Sequence, residues 1–299
     1  MRIASNTVSD SMIRQIQQLM GDQSKLQLQV SSGRRITQPE DDPAAVGRVL
    51  NLQTEQRQLA QYASNASRAL MLTQSSFSGL QGLKKVSDRA AELGTLGTGA
   101  LSNDSMRTFG NEVDQLLEQA LQLANSRSGG DYLYGGTAVD APPFVATRDA
   151  TTGKITSIAF NGNTAQASIP LSEATSVAPS TNGATNTGIG AFLNNLVTLR
   201  DALTSTDVAA VRAAQPALLD GENVIIAAMA DSGGIQTRIE AAQSQQLDRT
   251  MGLEKLVSNE SSVDLPTTIV KLNQAQTAYQ AALSSAAKVM NLSLLDYVK

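Results

Sequence analysis

Apolar residues recur over the first thirty positions at alternating intervals of four and three. Met12, Ile16, Leu19, Leu26 and Val30 form the stripe, with Gln23 in its one polar place. The rhythm returns near the other end at Ile269, Leu272, Tyr279, Leu283, Ala286 and Met290, again with one glutamine, Gln276. A four–three repeat keeps one face of an α-helix apolar, as in a coiled-coil seam. Matching stripes predict that helices over 1–32 and 264–299 pair with each other, antiparallel because the chain travels out and returns. Ser5, Asn6 and Ser9 offer caps for the first helix. Asp264 can cap the last, with Pro266 in the first turn where its missing N–H is harmless.

Between the ends, breakers divide the chain. Ser31-Ser32-Gly33 stops the first helix, Gly33 being suited to a left-handed cap, and Arg34 to Asp41 reads as an irregular connector. Asp42-Pro43 restarts a helix that is expected to run to about Leu93, with Val46, Val49, Leu50, Ala63, Leu70, Phe77, Leu80 and Leu83 inward. Gly94, Gly97 and Gly99 break it, and Asn103 or Asp104 starts another with Val113, Leu116, Ala120, Leu123 and Ala124 on one face, ended by Gly129-Gly130. From 131 to 190 glycine, threonine and asparagine rise and helical periodicity fades. Asn161-Gly162, between Thr156–Phe160 and Thr164–Ile169, predicts a hairpin there, with a loop after Ala174. Helices resume at Phe192, and Gly233-Gly234 is expected to separate the last two before the tail.

The fold class expected is mainly α: long antiparallel helices from both chain ends forming a coiled-coil-like bundle, with a small β-rich inserted domain. The implied divisions are 1–32 with 264–299 as a terminal pair, 33–130 with 191–263 as a helical bundle, and 131–190 as the insertion. A single terminal helix with one apolar stripe gains less by burial than ordering it costs. The ends are therefore expected to be loosely ordered alone and to fold on meeting other subunits. Contacts between copies that do not close would build a ring within a helical assembly.

Composition narrows the chemistry. The chain has 299 residues with no cysteine, histidine or tryptophan, which removes disulfides, thiolate or imidazole metal sites, and Ser/His or Cys/His catalytic pairs. Its net charge is −4 and its basic residues are dispersed, so nucleic acid is not an expected partner. Glycine clusters at 94–99 and 188–190 lack the spacing of a phosphate loop, and Asp41-Asp42 reads as a helix cap rather than a metal or acid–base pair. Neither an enzyme nor a cofactor is expected. No apolar run approaches 18 residues, so no membrane span is expected, and the first twenty residues lack the continuous apolar segment of a secretory signal.

The segment Val30-Ser-Ser-Gly-Arg-Arg-Ile-Thr-Gln-Pro-Glu-Asp-Asp-Pro-Ala-Ala-Val46 resembles the signature that follows the first helix in the bacterial flagellin superfamily. The matching positions are Ser31, Ser32, Gly33, Ile36, Asp41 and Asp42, followed here by Pro43. Pro39, Pro43, Tyr132-Leu-Tyr-Gly-Gly-Thr137, Pro142-Pro143-Phe144 and Ser293-Leu-Leu-Asp-Tyr297 are more similar to its hook-associated branch than to filament subunits. The resemblance implies a structural part of the flagellum, exported without a cleaved signal through the flagellar type III apparatus. It implies an adaptor ring of neighbouring copies between hook-associated protein 1 and flagellin, and an export chaperone that covers the tail. A filament subunit, flagellin itself, is the alternative. Under either reading the heptad residues at the two ends pack subunits together.

Overall fold

The computed structural model describes the backbone of residues 2–99 and 102–295 and the side chains of 10–99 and 102–288. Six helices and six short strands follow one another in the order α1 (Arg2–Ser32), α2 (Pro43–Gly97), α3 (Asn103–Ala124), β1 (Arg127–Ser128), β2 (Asp131–Tyr132), β3 (Phe144–Arg148), β4 (Ile155–Phe160), β5 (Ile169–Pro170), β6 (Ser176–Val177), α4 (Gly183–Thr204), α5 (Val208–Ser261) and α6 (Leu265–Leu295). The fold is mainly α with a small β portion, as the sequence pattern implies. Two compact units emerge: residues 1–58 with 249–299, and residues 59–248.

In the second unit, α3 and α4 pack against each other beside the later part of α2 and the earlier part of α5. Met106, Val113, Leu117, Ala120 and Ala124 face inward from α3 at spacings of three, four and seven. Leu117 belongs to this face, while Leu116 and Leu123, expected on it, lie half-buried at its flanks. On α2, Leu80 and Leu83 are buried as expected, but Leu50 and Ala63 are exposed and the helix continues past Leu93 to Gly97. Core packing explains the extension. At Gly97 a Cβ would sit 2.4 Å from the Leu203 side chain, so this glycine admits a close neighbour rather than ending the helix.

The strands form three separate antiparallel pairs: β1–β2, β3–β4 and β5–β6. Gly129 and Gly130, both left-handed with φ of 62° and 103°, form the two-residue turn between β1 and β2. α3 has already ended, Asn125 being its C-cap. The expected hairpin around Asn161-Gly162 does not form. β4 pairs instead with β3, Phe144 opposite Phe160, through a turn at Asp149–Lys154. In that turn Asp149 Oδ1 accepts from the Thr151 and Thr152 amides at 3.0 and 2.7 Å, and Gly153 takes the left-handed position. The tertiary structure uses the Asn-Gly segment elsewhere. Asn163 Oδ1 accepts from the Thr137 amide at 2.9 Å and Asn163 Nδ2 donates to Thr137 Oγ1 at 2.7 Å, tying it to the loop after Tyr134.

Two asparagines fasten the β3–β4 ribbon to the helices. Asn125 Nδ2 donates to the Phe144 carbonyl at 2.8 Å, and its Oδ1 accepts from the Phe144 amide at 3.0 Å. Asn194 makes the same double contact with the amide and carbonyl of Ile158, at 2.9 and 2.8 Å. A carboxamide has the donor–acceptor pair that a strand edge needs, so it stands in for a missing strand.

Candidate assembly surface at the paired ends

The first unit is built on α1 and α6, which pack against each other. Their junction fixes the direction. Arg34 and Ser262 form an antiparallel bridge, the Arg35 amide donates to the Ser261 carbonyl at 2.7 Å, and the Val263 amide donates to the Gly33 carbonyl at 3.0 Å. The end of α1 thus lies beside the start of α6, and the two helices run antiparallel.

Along α1 the half-buried positions are Met12, Ile16, Leu19, Gln23, Leu26 and Val30 with Gln29, which reproduces the stripe read from the sequence. α1 already begins at Arg2, so Ser5, Asn6 and Ser9 lie inside the helix instead of before it. Along α6 the observed face differs from the expected one at every other position. Thr268 is buried, and Leu272, Ala275, Tyr279, Ala282 and Ala286 are half-buried. Ile269 and Leu283 are 44% and 43% exposed, and Gln276 is exposed as well. Met290 lies outside the described side chains. The physical reason is size. The α1 stripe is long-chained, so the facing helix presents Thr268, Ala275 and Ala282 between its large residues, and bulk meets space. Ile269 and Leu283 are left pointing outward, as are Ile13 and Met20 on α1, at 48% and 60% exposure.

The signature residues assemble at the joint that holds the pair in place. Gly33 is left-handed with φ of 68°, and its amide donates to the Gln29 carbonyl at 3.0 Å, closing α1. Ser31 Oγ donates to the Leu28 carbonyl, and Ser32 Oγ accepts from the Arg34 amide at 3.2 Å. Ile36 is half-buried within the connector. Asp41 Oδ2 accepts from the amide and hydroxyl of Thr37, both at 2.9 Å, and from the Gln38 amide at 3.0 Å, while Lys25 of α1 lies 2.7 Å from Oδ1. The Lys25 ammonium first, and then these Thr37 and Gln38 donors, hold the Asp41 carboxyl well below the usual range.

Asp42 caps α2, its Oδ1 accepting from the Ala45 amide at 3.0 Å, with Pro43 in the first helical position. Its Oδ2 accepts from Arg35 at 3.1 Å. The Ala45 amide, and after it Arg35, depresses the Asp42 carboxyl. The neighbouring aspartates therefore have separate tasks. One folds the connector and the other starts a helix.

Glu260 completes the clasp. Arg48 Nε and Nη2 donate to its two oxygens at 3.0 and 2.8 Å, and Arg35 Nη2 donates to the Glu260 carbonyl at 3.0 Å. The Arg48 contact lowers the Glu260 carboxyl below its ordinary value. Sequence reasoning passed over Lys25, Arg35, Arg48 and Glu260. One signal was present: an acid in the last turn of α5 opposes the helix dipole, and such a residue calls for a cation.

Among the described residues there is no group of three or more acidic side chains that could hold a metal ion. No described helix is long and apolar enough to cross a membrane.

Comparisons with known proteins agree with this architecture. The family described as the bacterial flagellin N-terminal helical region matches residues 3–138, which take in α1, the joint, α2, α3 and the loop after Tyr134. Flagellar hook-associated protein 3 of Escherichia coli is 24% identical over 100% of both chains. The protein of the same name from Salmonella typhimurium is 25% identical over 99% of both. The fold is shared with FlgL of Bacillus cereus at a TM-score of 0.60 and 19% identity, over 70% of this chain and 99% of that one. The flagellar junction protein FlgL from Legionella pneumophila superimposes at a TM-score of 0.52 and 13% identity, over 71% and 100%. The chain is thus similar to flagellar hook-associated protein 3 over the full length of both, and matches the flagellin N-terminal helical region at residues 3–138.

Proposed function

We propose that this chain is a structural component of the bacterial flagellum, an adaptor ring at the junction of hook and filament. The observation that carries the proposal is the full-length alignment with two flagellar hook-associated proteins 3. In this reading the chain performs no reaction. Hook-associated protein 1 lies on its proximal side, flagellin on its distal side, and further copies of itself complete the ring. It acts outside the cell, exported without a cleaved signal, with an export chaperone covering the tail beforehand.

The paired ends support a packing role. The face between α1 and α6 takes up one set of apolar side chains, and Ile13, Met20, Ile269 and Leu283 remain for neighbouring subunits. Met12, Ile16, Leu19, Leu26, Val30, Leu272, Tyr279 and Ala286 hold the pair in the form that presents them. The clasp around Asp41, Asp42 and Glu260 sets the angle at which the pair leaves the rest of the first unit.

Labelled antibody on purified flagella tests the assignment. A discrete band between hook and filament is the expected result. Label along the whole filament would overturn it and make the chain a filament subunit.

A further inference from the structure

Gly233 and Gly234 sit side by side within α5, where the sequence pattern expects a break but the helix runs on unbroken. Elsewhere in the helices of the second unit most glycines have a packing reason, and at Gly94 and Gly190 an added Cβ would at least touch a neighbour, at 3.5 Å. At Gly79, Gly82, Gly97, Gly110, Gly188 and Gly221 an added Cβ would come within 3 Å of a neighbouring atom. At Gly233 and Gly234 it would meet nothing within 4 Å. Alanine would fit both positions and favour the helix, so close packing does not account for this pair.

Two further observations converge on the same turn. Thr237 Oγ1 donates to the Gly233 carbonyl at 3.1 Å, so its hydroxyl competes for the acceptor of the main-chain ladder. Back-bonding of this kind weakens and bends helices. On one side the turn borders an open groove between Asp231, Ser232, Gly234 and Arg238 of α5 and Thr181 and Asn182 at the start of α4. On the groove side the helix therefore has room to move into, at a turn where two residues of low helix propensity adjoin, while Ser232 and Ile239 are buried on its packed side.

We propose that Gly233–Gly234 is a hinge at which α5 bends when the subunit is loaded. The part about load rests on the junction role proposed above; the hinge itself does not. Its test is amide hydrogen exchange on the purified full-length chain. The amides of 231–238 are expected to exchange at least about tenfold faster than those of 221–228. The double variant Gly233→Ala/Gly234→Ala is expected to slow them by roughly tenfold or more. Uniform exchange along α5, or no slowing in either the double variant or Gly234→Ala alone, overturns the hinge.

The second arm complements a strain lacking its own junction protein and compares swimming in dilute and viscous media. The double variant is expected to support swimming in dilute medium and to lose speed in viscous medium. Slowed exchange with equal swimming in both media overturns the role under load. Failure of the wild-type chain to restore swimming points instead to the proposed function, and leaves the exchange result standing.

Discussion

At the scale of single residues, the joint between α1 and α2 is an electrostatic object. Asp41 accepts from Thr37 and Gln38 and pairs with Lys25, Asp42 accepts from Ala45 and Arg35, and Glu260 accepts from Arg48. All three carboxyl groups are held below their ordinary values. A depressed carboxyl contributes stability that is fully present above its unfolded pKa, about 4 for these groups, and lost as pH falls through the folded value. Lys25 is raised by the same Asp41 contact, so its contribution fades only at alkaline pH and the acid side is the informative one. Exchange protection at the Thr37, Gln38 and Ala45 amides, corrected for intrinsic rate, should therefore fall as pH drops below about 4. Protection in the core of α3 should persist further. Asp41→Asn should show much of the loss already at neutral pH. Protection that stays constant down to pH 2 would mean that the clasp does not hold the joint.

At the scale of elements, α6 carries apolar residues on more of its circumference than one partner covers. Leu272 and Tyr279 face α1, while Ile269 and Leu283 face away. The two sets should respond differently to the same change. Leu272→Asp places a charge in the pair and is expected to lower the helical content of the purified protein and to block incorporation at the junction. Ile269→Asp changes an exposed position, within about 0.5 kcal/mol for the isolated protein. Its helicity should be unchanged while incorporation falls. Circular dichroism together with antibody labelling of flagella separates the two. Equal behaviour of both variants would mean that α6 has no distinct inner and outer face, and unchanged helicity in Leu272→Asp would mean that the pair is absent from the isolated chain.

At the scale of the whole molecule, the second unit has the larger buried core, and the first contains the paired ends with exposed Ile13, Met20, Ile269 and Leu283. Removing 265–299 should leave the second unit folded, with the buried cluster around Leu117, Phe192 and Leu196 intact, yet yield cells that do not join filament to hook. Normal filament growth with that truncation would remove the tail from the mechanism. Much of this design was legible in the chain itself. The α1 stripe, the left-handed stop at Gly33, the Asp42–Pro43 start and the mainly helical character follow from periodicity, missing amide donors and backbone freedom, which are local properties. What local pattern could not decide was which of two overlapping α6 stripes turns inward. That depended on the size of the side chains arriving from α1, some 250 residues earlier. The Asn161-Gly162 turn signal failed for a related reason. Asn163 bonds to Thr137 instead, and only the assembled structure brings Thr137 within reach. The glycine pair at 233–234 reads as a break in sequence because it lowers helix propensity. Tertiary structure carries the helix across it, since packing on either side outweighs two weak residues.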